Sequence, residues 1–100
     1  MVNERKIVWS DDAKKQLRQA YKYIEQDSLQ NAINVRNDIL ALIKQIPVYP
    51  EKFSPDKFKI NNDGTYRNFE KHRYRIAFRV LANEVRILRV RHTSMEPLLY

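Results

Sequence analysis

The chain has 100 residues, 43% of them hydrophobic and 31% charged, which is typical of one folded domain spanning residues 1–100. No apolar run approaches the roughly 20 residues that span a bilayer, and the charged first residues lack the apolar stretch of a signal peptide. Cysteine is absent, which excludes disulfides and thiolate zinc sites. We therefore expect a cytoplasmic protein with no membrane association.

The positive charge is unevenly distributed along the chain. Nineteen Lys and Arg against twelve Asp and Glu give a net charge of +7, and residues 51–100 carry most of this excess. A basic half favours a polyanionic partner, because each contact with a phosphate releases counterions. The alternative is a solvated basic face that serves only solubility.

The first two predicted elements are a short strand and an amphipathic helix. Alternating side chains from Lys6 to Trp9 indicate the strand. Ser10 can cap the helix, and two aspartates follow in its first turn, where acidic side chains interact favourably with the helix dipole. Apolar positions then recur every three or four residues to about Gln26, as one helix face requires.

A second amphipathic helix follows a break at Asp27 and Ser28, which can cap it. Its apolar stripe begins at Ala32, and Pro47 ends it. Two such helices with a short break predict an αα-hairpin. Residues 47–63 contain three prolines and are predicted to be irregular.

The remainder of the chain predicts three antiparallel strands, over Tyr66 to about Lys71, Tyr74 to Leu81 and Glu84 to Arg91. The third alternates imperfectly, which indicates either a bulge or two partly covered faces. The order β-α-α-β-β-β predicts an α+β fold. An N-terminal strand and a helical hairpin precede a three-stranded antiparallel meander, with the helices on one face of the sheet.

The last hairpin predicts which side chains share a face. If Ala82 and Asn83 form a two-residue loop, residue 80 pairs with 85, 78 with 87 and 75 with 90. The face away from the helices then carries three arginines and a histidine: Arg75, Arg79, Arg86 and His92. A bulge would undo this grouping, because a shift of one residue moves side chains to the other face.

A face of this kind has the residue types for metal-independent RNA cleavage. That reaction needs a base, an acid and cations that stabilise the charge at phosphorus. Arginine suits the third role, and His92 can supply a proton near neutral pH. Asp56, Lys57 and Lys59 are candidates for the base. On residue type alone, however, His92 is more often a structural or surface residue, and strand arginines often form a solvated face.

Other classes of site lack their motifs. One glycine cannot form a Gly-rich phosphate loop, and neither GxSxG nor HExxH occurs. No acidic cluster suggests a magnesium site, so we expect neither a metal nor another cofactor. The basic positions of the first helix could contact DNA, although an ordinary solvated face is the favoured interpretation.

The stretch from Arg67 to Pro97 resembles the C-terminal half of the RelE/ParE toxins of type II toxin–antitoxin systems. Members of that superfamily share a YRI-type strand, a tight turn and a strand that ends in histidine. In this chain those features are Tyr74-Arg75-Ile76, the turn, and the strand ending at His92. The helical hairpin and the proline-containing segment before this stretch are similar to the superfamily as well.

The resemblance implies roles for individual residues. Arg75 matches the arginine that contacts the scissile phosphate in ribonuclease members, His92 a histidine near the active site, and Asp56 a carboxylate that acts as base. Cations that bind phosphate or RNA would be Lys57, Lys59, Arg67, Arg79 and Arg91. Ribonuclease members related to YoeB end in tyrosine just after the histidine, whereas here Thr93 follows and the sequence continues to Tyr100.

The resemblance also implies an activity and partners. The expected activity is ribosome-dependent cleavage of mRNA, which inhibits translation, in a system that stabilises plasmids. The alternative is non-enzymatic inhibition of DNA gyrase, as in ParE-like members. The expected partners are a cognate antitoxin, assembled with the toxin as a heterotetramer, and either the ribosome with its mRNA or gyrase.

Overall fold

The computed structural model describes residues 5–100. The part of the predicted domain and of the charged N-terminal stretch that falls on residues 1–4 lies outside this range. The elements, in chain order, are β1 (Lys6–Trp9), α1 (Asp11–Glu25), α2 (Leu29–Gln45), a 3-10 turn (Pro50–Lys52), β2 (Ser54–Pro55), β3 (Tyr66–Lys71), β4 (Tyr74–Val80) and β5 (Glu84–His92).

Side chains cap both helices at their N-termini, as the sequence predicts. The Ser10 Oγ accepts a hydrogen bond from the Ala13 N–H at 3.0 Å, and the Ser28 Oγ accepts one from the Asn31 N–H at 3.1 Å. Each cap satisfies an N–H that lacks a partner within its helix. The second helix ends before Pro47, whose ring would clash with the preceding turn.

Five strands form one mixed sheet in the order β1-β5-β4-β3-β2. The predicted meander of β3, β4 and β5 is confirmed as antiparallel, and β1 joins it in parallel alongside β5. The residues predicted to be irregular contain one further strand, the two-residue β2 at the sheet edge, where a proline is tolerated. The α+β fold class is therefore confirmed, with a wider sheet than the meander alone.

The hydrophobic core lies between the two helices and one face of the sheet, as predicted. Phe78 is fully buried at its centre and contacts the rings of Phe53 and Phe69, with centroids 5.6 and 6.3 Å away. From the helices, Ala13 and Ile39 are fully buried in the same cluster. This face of the sheet is called the helix side below, and the opposite face the outer side.

The second half of β5 extends beyond its neighbour β1, which pairs only with residues 84–87. Where β1 does not reach, two side chains form hydrogen bonds with the backbone of β5. The Ser10 Oγ donates to the Leu88 carbonyl at 2.9 Å, and the Gln16 Oε1 accepts from the Val90 N–H at 2.8 Å. Such contacts blunt an edge that could otherwise pair with another strand. Within residues 5–100, neither helix has the length and apolar character needed to cross a membrane.

Candidate functional site

A bulge at Leu88 decides which side chains lie on the outer side of the sheet. The predicted pairs 80 with 85 and 78 with 87 are confirmed, and then Ala77 pairs with Arg89, which leaves Leu88 without a partner. The predicted pairing of 75 with 90 is wrong, because Arg75 pairs with Arg91. The extra residue shifts the alternation of β5 by one position beyond Leu88.

Because of the bulge, the outer side carries more arginines than predicted and does not carry the histidine. This arginine-bearing side is called the cationic face. The outer side carries five strand arginines: Arg75, Arg79, Arg86, Arg89 and Arg91. The predicted presence of His92 on this face is wrong, because His92 pairs with the core residue Tyr74. Arg89 is the functional candidate that the sequence analysis missed. The imperfect alternation of β5 was the available signal, since it indicated a bulge.

The His92 ring lies on the helix side against the Tyr74 ring, with centroids 5.1 Å apart and planes at 87°. Its Nδ1 accepts from the Ser94 N–H at 3.0 Å and lies 2.7 Å from the Ser94 Oγ. The sheet therefore separates this imidazole from the guanidinium of Arg75. His92, the candidate for proton transfer, and Arg75, the candidate for phosphate binding, therefore do not lie in one site in this structure.

Arg75 is largely enclosed, with 13% of its side chain exposed. Its Nε and Nη2 donate to the Glu70 Oε2 at 3.1 and 2.8 Å, and its guanidinium stacks 4.6 Å from the centre of the Phe58 ring. The Nη1 is buried and has no hydrogen-bond partner within residues 5–100. Because Glu70 is half exposed, an anionic ligand could replace it as the partner of Arg75.

The predicted base, Asp56, is buried, with 2% of its surface exposed. Its Oδ1 accepts from the Phe58 N–H at 3.0 Å and from the Asn68 Nδ2 at 3.1 Å, and its Oδ2 accepts from the Tyr100 hydroxyl at 2.5 Å. Tyr100 thus contacts the site, and burial together with this carboxylate raises the pKa of its hydroxyl. In this arrangement Asp56 anchors the surrounding chain, and both of its oxygens are occupied.

The two predicted lysines follow Asp56 in the chain. Lys57 is exposed, and its ammonium lies 5.3 Å from the centre of the Phe58 ring. Lys59 lies over the rings of Tyr66 and Tyr100, at 4.9 and 5.4 Å from their centres. Both ammonium groups border the outer side. The Lys59 ammonium also donates to the Ile60 carbonyl at 2.9 Å.

The three predicted arginines besides Arg75 have different surroundings. Arg67 pairs with core residue Phe78 and donates from its Nη1 to the Phe53 carbonyl at 2.5 Å, so it points away from the outer side. Arg79 donates to the Thr65 Oγ1 at 3.1 Å and stacks over the Tyr66 ring. Arg91 donates to the backbone carbonyl of Glu96 at 2.9 Å. Arg79 and Arg91 thus join the cationic face, and Arg67 does not.

The space between these groups is nearly filled. A cavity of about 10 Å³ is lined by Asp56, Phe58, Arg75, Ala77, Arg89, Arg91 and Leu98. That is roughly the space of a single water molecule. Within the described chain, no group of three or more histidines and carboxylates is placed to hold a metal ion. The arginines of this site can attract anions. The predicted acid, His92, lies on the helix side, and the predicted carboxylate base, Asp56, has hydrogen bonds on both oxygens.

The sequence matches a known protein family, and the fold is similar to those of solved structures. Residues 7–97 match the model of the family described as the ParE toxin of the type II toxin–antitoxin system parDE. No protein of curated function matches the sequence at a significant level.

Among solved structures, the chromosomal ParDE system from P. aeruginosa aligns with a TM-score of 0.70 and 19% identity, over 90% of this chain and 97% of that one. The YoeB dimer from Staphylococcus aureus aligns with a TM-score of 0.59 and 21% identity, over 89% and 97%. The E. coli DinJ–YafQ complex gives a TM-score of 0.64 and 14% identity, over 91% and 94%. These structures share the fold, and the family match over most of the sequence shows that the chain belongs to the ParE toxin family of type II toxin–antitoxin systems.

Proposed function

We propose that this toxin acts by binding DNA gyrase and blocking its function, without cleaving RNA. The observation that carries the proposal is the position of Arg75 and His92 on opposite sides of the sheet. A metal-independent ribonuclease needs an acid and a base within hydrogen-bonding reach of the reacting atoms. Here the candidate acid lies across the sheet from Arg75, and Asp56, the carboxylate among the three candidate bases, is buried with both oxygens bonded. The match to the ParE family is consistent with a gyrase target.

The proposed partner in the resting state is a cognate antitoxin that wraps this domain with an extended or helical segment. The related solved structures of ParDE and of DinJ–YafQ contain toxin–antitoxin systems, which supports this part of the proposal. We expect a heterotetramer of toxin and antitoxin in the cytoplasm, and a role in plasmid stabilisation. Co-expression of the neighbouring small gene should then restore growth to cells that express the toxin.

The deciding experiment measures two activities of the purified protein in parallel. We expect loss of gyrase-catalysed supercoiling and intact mRNA in a translating extract. Arg75→Ala should leave gyrase inhibition nearly unchanged, and substitutions on the exposed surface of the helical hairpin should reduce it. Arg18→Ala tests the surface of that hairpin, because Arg18 is exposed on α1. Cleaved mRNA together with normal supercoiling would overturn the proposal.

A second candidate function is ribosome-dependent cleavage of mRNA, and the cationic face favours it. The outer side carries the guanidiniums of Arg75, Arg79, Arg89 and Arg91 in addition to Arg86. The buried Nη1 of Arg75 lacks a hydrogen-bond partner within residues 5–100. Such a group could bind a scissile phosphate if the surrounding chain moved. In that case Arg75→Ala would abolish cleavage, while Arg18→Ala would leave it unchanged.

A further inference from the structure

Residues 93–100, called the cover segment here, run across the outer side of the sheet. The Thr93 N–H donates to the Arg73 carbonyl at 2.7 Å at one end. At the other end, Tyr100 is held by backbone bonds to Phe58 and Ile60, at 3.2 and 2.5 Å. The cover segment therefore bridges the β3–β4 turn and the loop that follows β2.

Tyr100 fixes this segment over the arginines. Its ring lies 4.0 Å from the Arg89 guanidinium carbon and makes an edge contact with the Tyr66 ring, with centroids 5.8 Å apart. Its hydroxyl donates to the buried carboxylate of Asp56. A hydrogen bond to a charged acceptor and a cation–π contact are each stronger than a neutral surface contact. Tyr100 thus occupies the space beside Arg89 that an anion would need.

The closed arrangement leaves no room for a ligand between Leu98 and the arginines beneath it. The remaining cavity holds only about 10 Å³ between Leu98 and the guanidiniums of Arg75, Arg89 and Arg91. The Nη1 of Arg75, a residue that lines this cavity, is buried without a hydrogen-bond partner in the described chain. A buried donor of this kind costs free energy, and an incoming phosphate oxygen would satisfy it.

Between its two ends, the cover segment is held by the hydrogen bond from Arg91 to the Glu96 carbonyl and by little apolar packing. Met95, Leu98 and Leu99 are 49%, 47% and 69% exposed, so the segment buries little apolar surface. Segments with few buried apolar contacts open locally at a small fraction of the free energy of global unfolding. Release of Tyr100 is therefore the step that would uncover the site.

We propose that the cover segment is an intramolecular gate, and that Tyr100 must leave Asp56 and Arg89 before a phosphate group can reach Arg75 and Arg89. The gate controls access to the outer side and is independent of whether the toxin acts on gyrase or on mRNA. In the closed state the cover segment lies against Arg75, Arg89 and Arg91, and a phosphate-bearing ligand competes with it for their guanidiniums.

Chemical labelling of arginine with phenylglyoxal, followed by peptide mass spectrometry, tests the gate without any measure of toxicity. In the wild-type protein, Arg75 and Arg89 should react about tenfold more slowly than the exposed Arg18. Tyr100→Ala should raise the rate of Arg89 to roughly that of Arg18. It should raise the rate of Arg75 less, because Glu70 and the Phe58 ring still contact that guanidinium. Inorganic pyrophosphate should then slow the labelling of Arg75 and Arg89 strongly in the variant and only slightly in the wild type.

Tyr49→Ala is the matched control, because Tyr49 is 59% exposed and outside the cluster. Arg67, whose Nη1 is bound to the Phe53 carbonyl, reports unfolding, since it should stay slow in every folded variant. If Tyr100→Ala also exposes Arg67, Tyr100→Phe decides, because it removes only the hydroxyl bond to Asp56 and should give an intermediate rate. Fast labelling of Arg75 and Arg89 in the wild type would overturn the gate. Slow labelling in a folded Tyr100→Ala variant, or equal protection by pyrophosphate in both proteins, would overturn it as well.

Discussion

Tyr74 and His92 face each other across β4 and β5 on the helix side of the sheet, and their rings meet edge to face at 5.1 Å. Tyr74 belongs to the hydrophobic core, and burial raises the pKa of its hydroxyl. This contact ties His92 to the packing between the sheet and α1. It also places the imidazole on the far side of the sheet from the arginines of the outer side.

His92→Ala should leave growth arrest intact and reduce stability. Loss of the ring contact with Tyr74 should lower the free energy of unfolding by about 1 kcal/mol, the usual contribution of an aromatic pair beyond its buried area. Urea unfolding and growth after induction measure the two effects. His72→Ala is a matched control, because His72 pairs with Asp38 on the surface. A folded His92→Ala protein that no longer arrests growth would contradict the proposed mode of action.

Asp56→Ala should destabilise the protein more than Asp56→Asn. The alanine leaves three donors without their acceptor, those of Phe58, Asn68 and Tyr100. Unsatisfied buried donors cost roughly 1–3 kcal/mol each, and movement of the cover segment toward water should reduce the total to about 3 kcal/mol. The asparagine keeps one acceptor oxygen and should cost about 1 kcal/mol. Equal midpoints of urea unfolding for the two variants would show that these hydrogen bonds contribute little.

Phe78→Ala should be among the most destabilising single substitutions in the chain. Phe78 is fully buried and contacts two other phenylalanine rings, so the shortened side chain leaves a cavity at the centre of the core. The expected loss is about 3–5 kcal/mol in the free energy of unfolding, measured by urea denaturation. Tyr23→Ala is the control, since Tyr23 is 67% exposed, and it should change stability by only about 0.5 kcal/mol.

Stability should fall in alkaline solution through ionisation of Tyr100. Burial, and then the neighbouring Asp56 carboxylate, raise the pKa of its hydroxyl above the ordinary value of 10.0. The folded state therefore holds this proton more tightly than the unfolded state does. The resulting stability is fully present below pH 10 and is lost progressively as the pH rises above that value toward the raised folded pKa.

The urea midpoint of the wild type, followed from neutral pH to about pH 11, measures this effect against the ordinary tyrosine pKa. Tyr100→Phe is the control and should lose part of the alkaline decline, because phenylalanine cannot ionise. An identical pH profile for the two proteins would rule out a coupling between Tyr100 and stability. Ultraviolet absorbance should also show one fewer late-ionising tyrosine in the variant.

The order and type of the main elements could be predicted from the sequence, because the signals are local. Ser10 and Ser28 cap the helices through residues three positions ahead, and Pro47 follows the end of α2. The two-residue loop at Ala82 and Asn83 fixes the register nearest the turn, so the pairs close to it were predicted correctly. The strand β2 was not predicted, because two residues carry no periodic pattern.

The sequence by itself determined an α+β domain with a basic sheet, because helix caps, hydrophobic periodicity and turn residues act over a few positions. The tertiary structure alone decided where the cations lie, because side chains on a strand alternate with a period of two and the single extra residue at Leu88 reverses every face beyond it. It alone also decided that Tyr100 bonds to Asp56, 44 positions away. A contact over that distance depends on how the loop that follows β2 and the cover segment pack on the outer side of the sheet. No local sequence pattern encodes it.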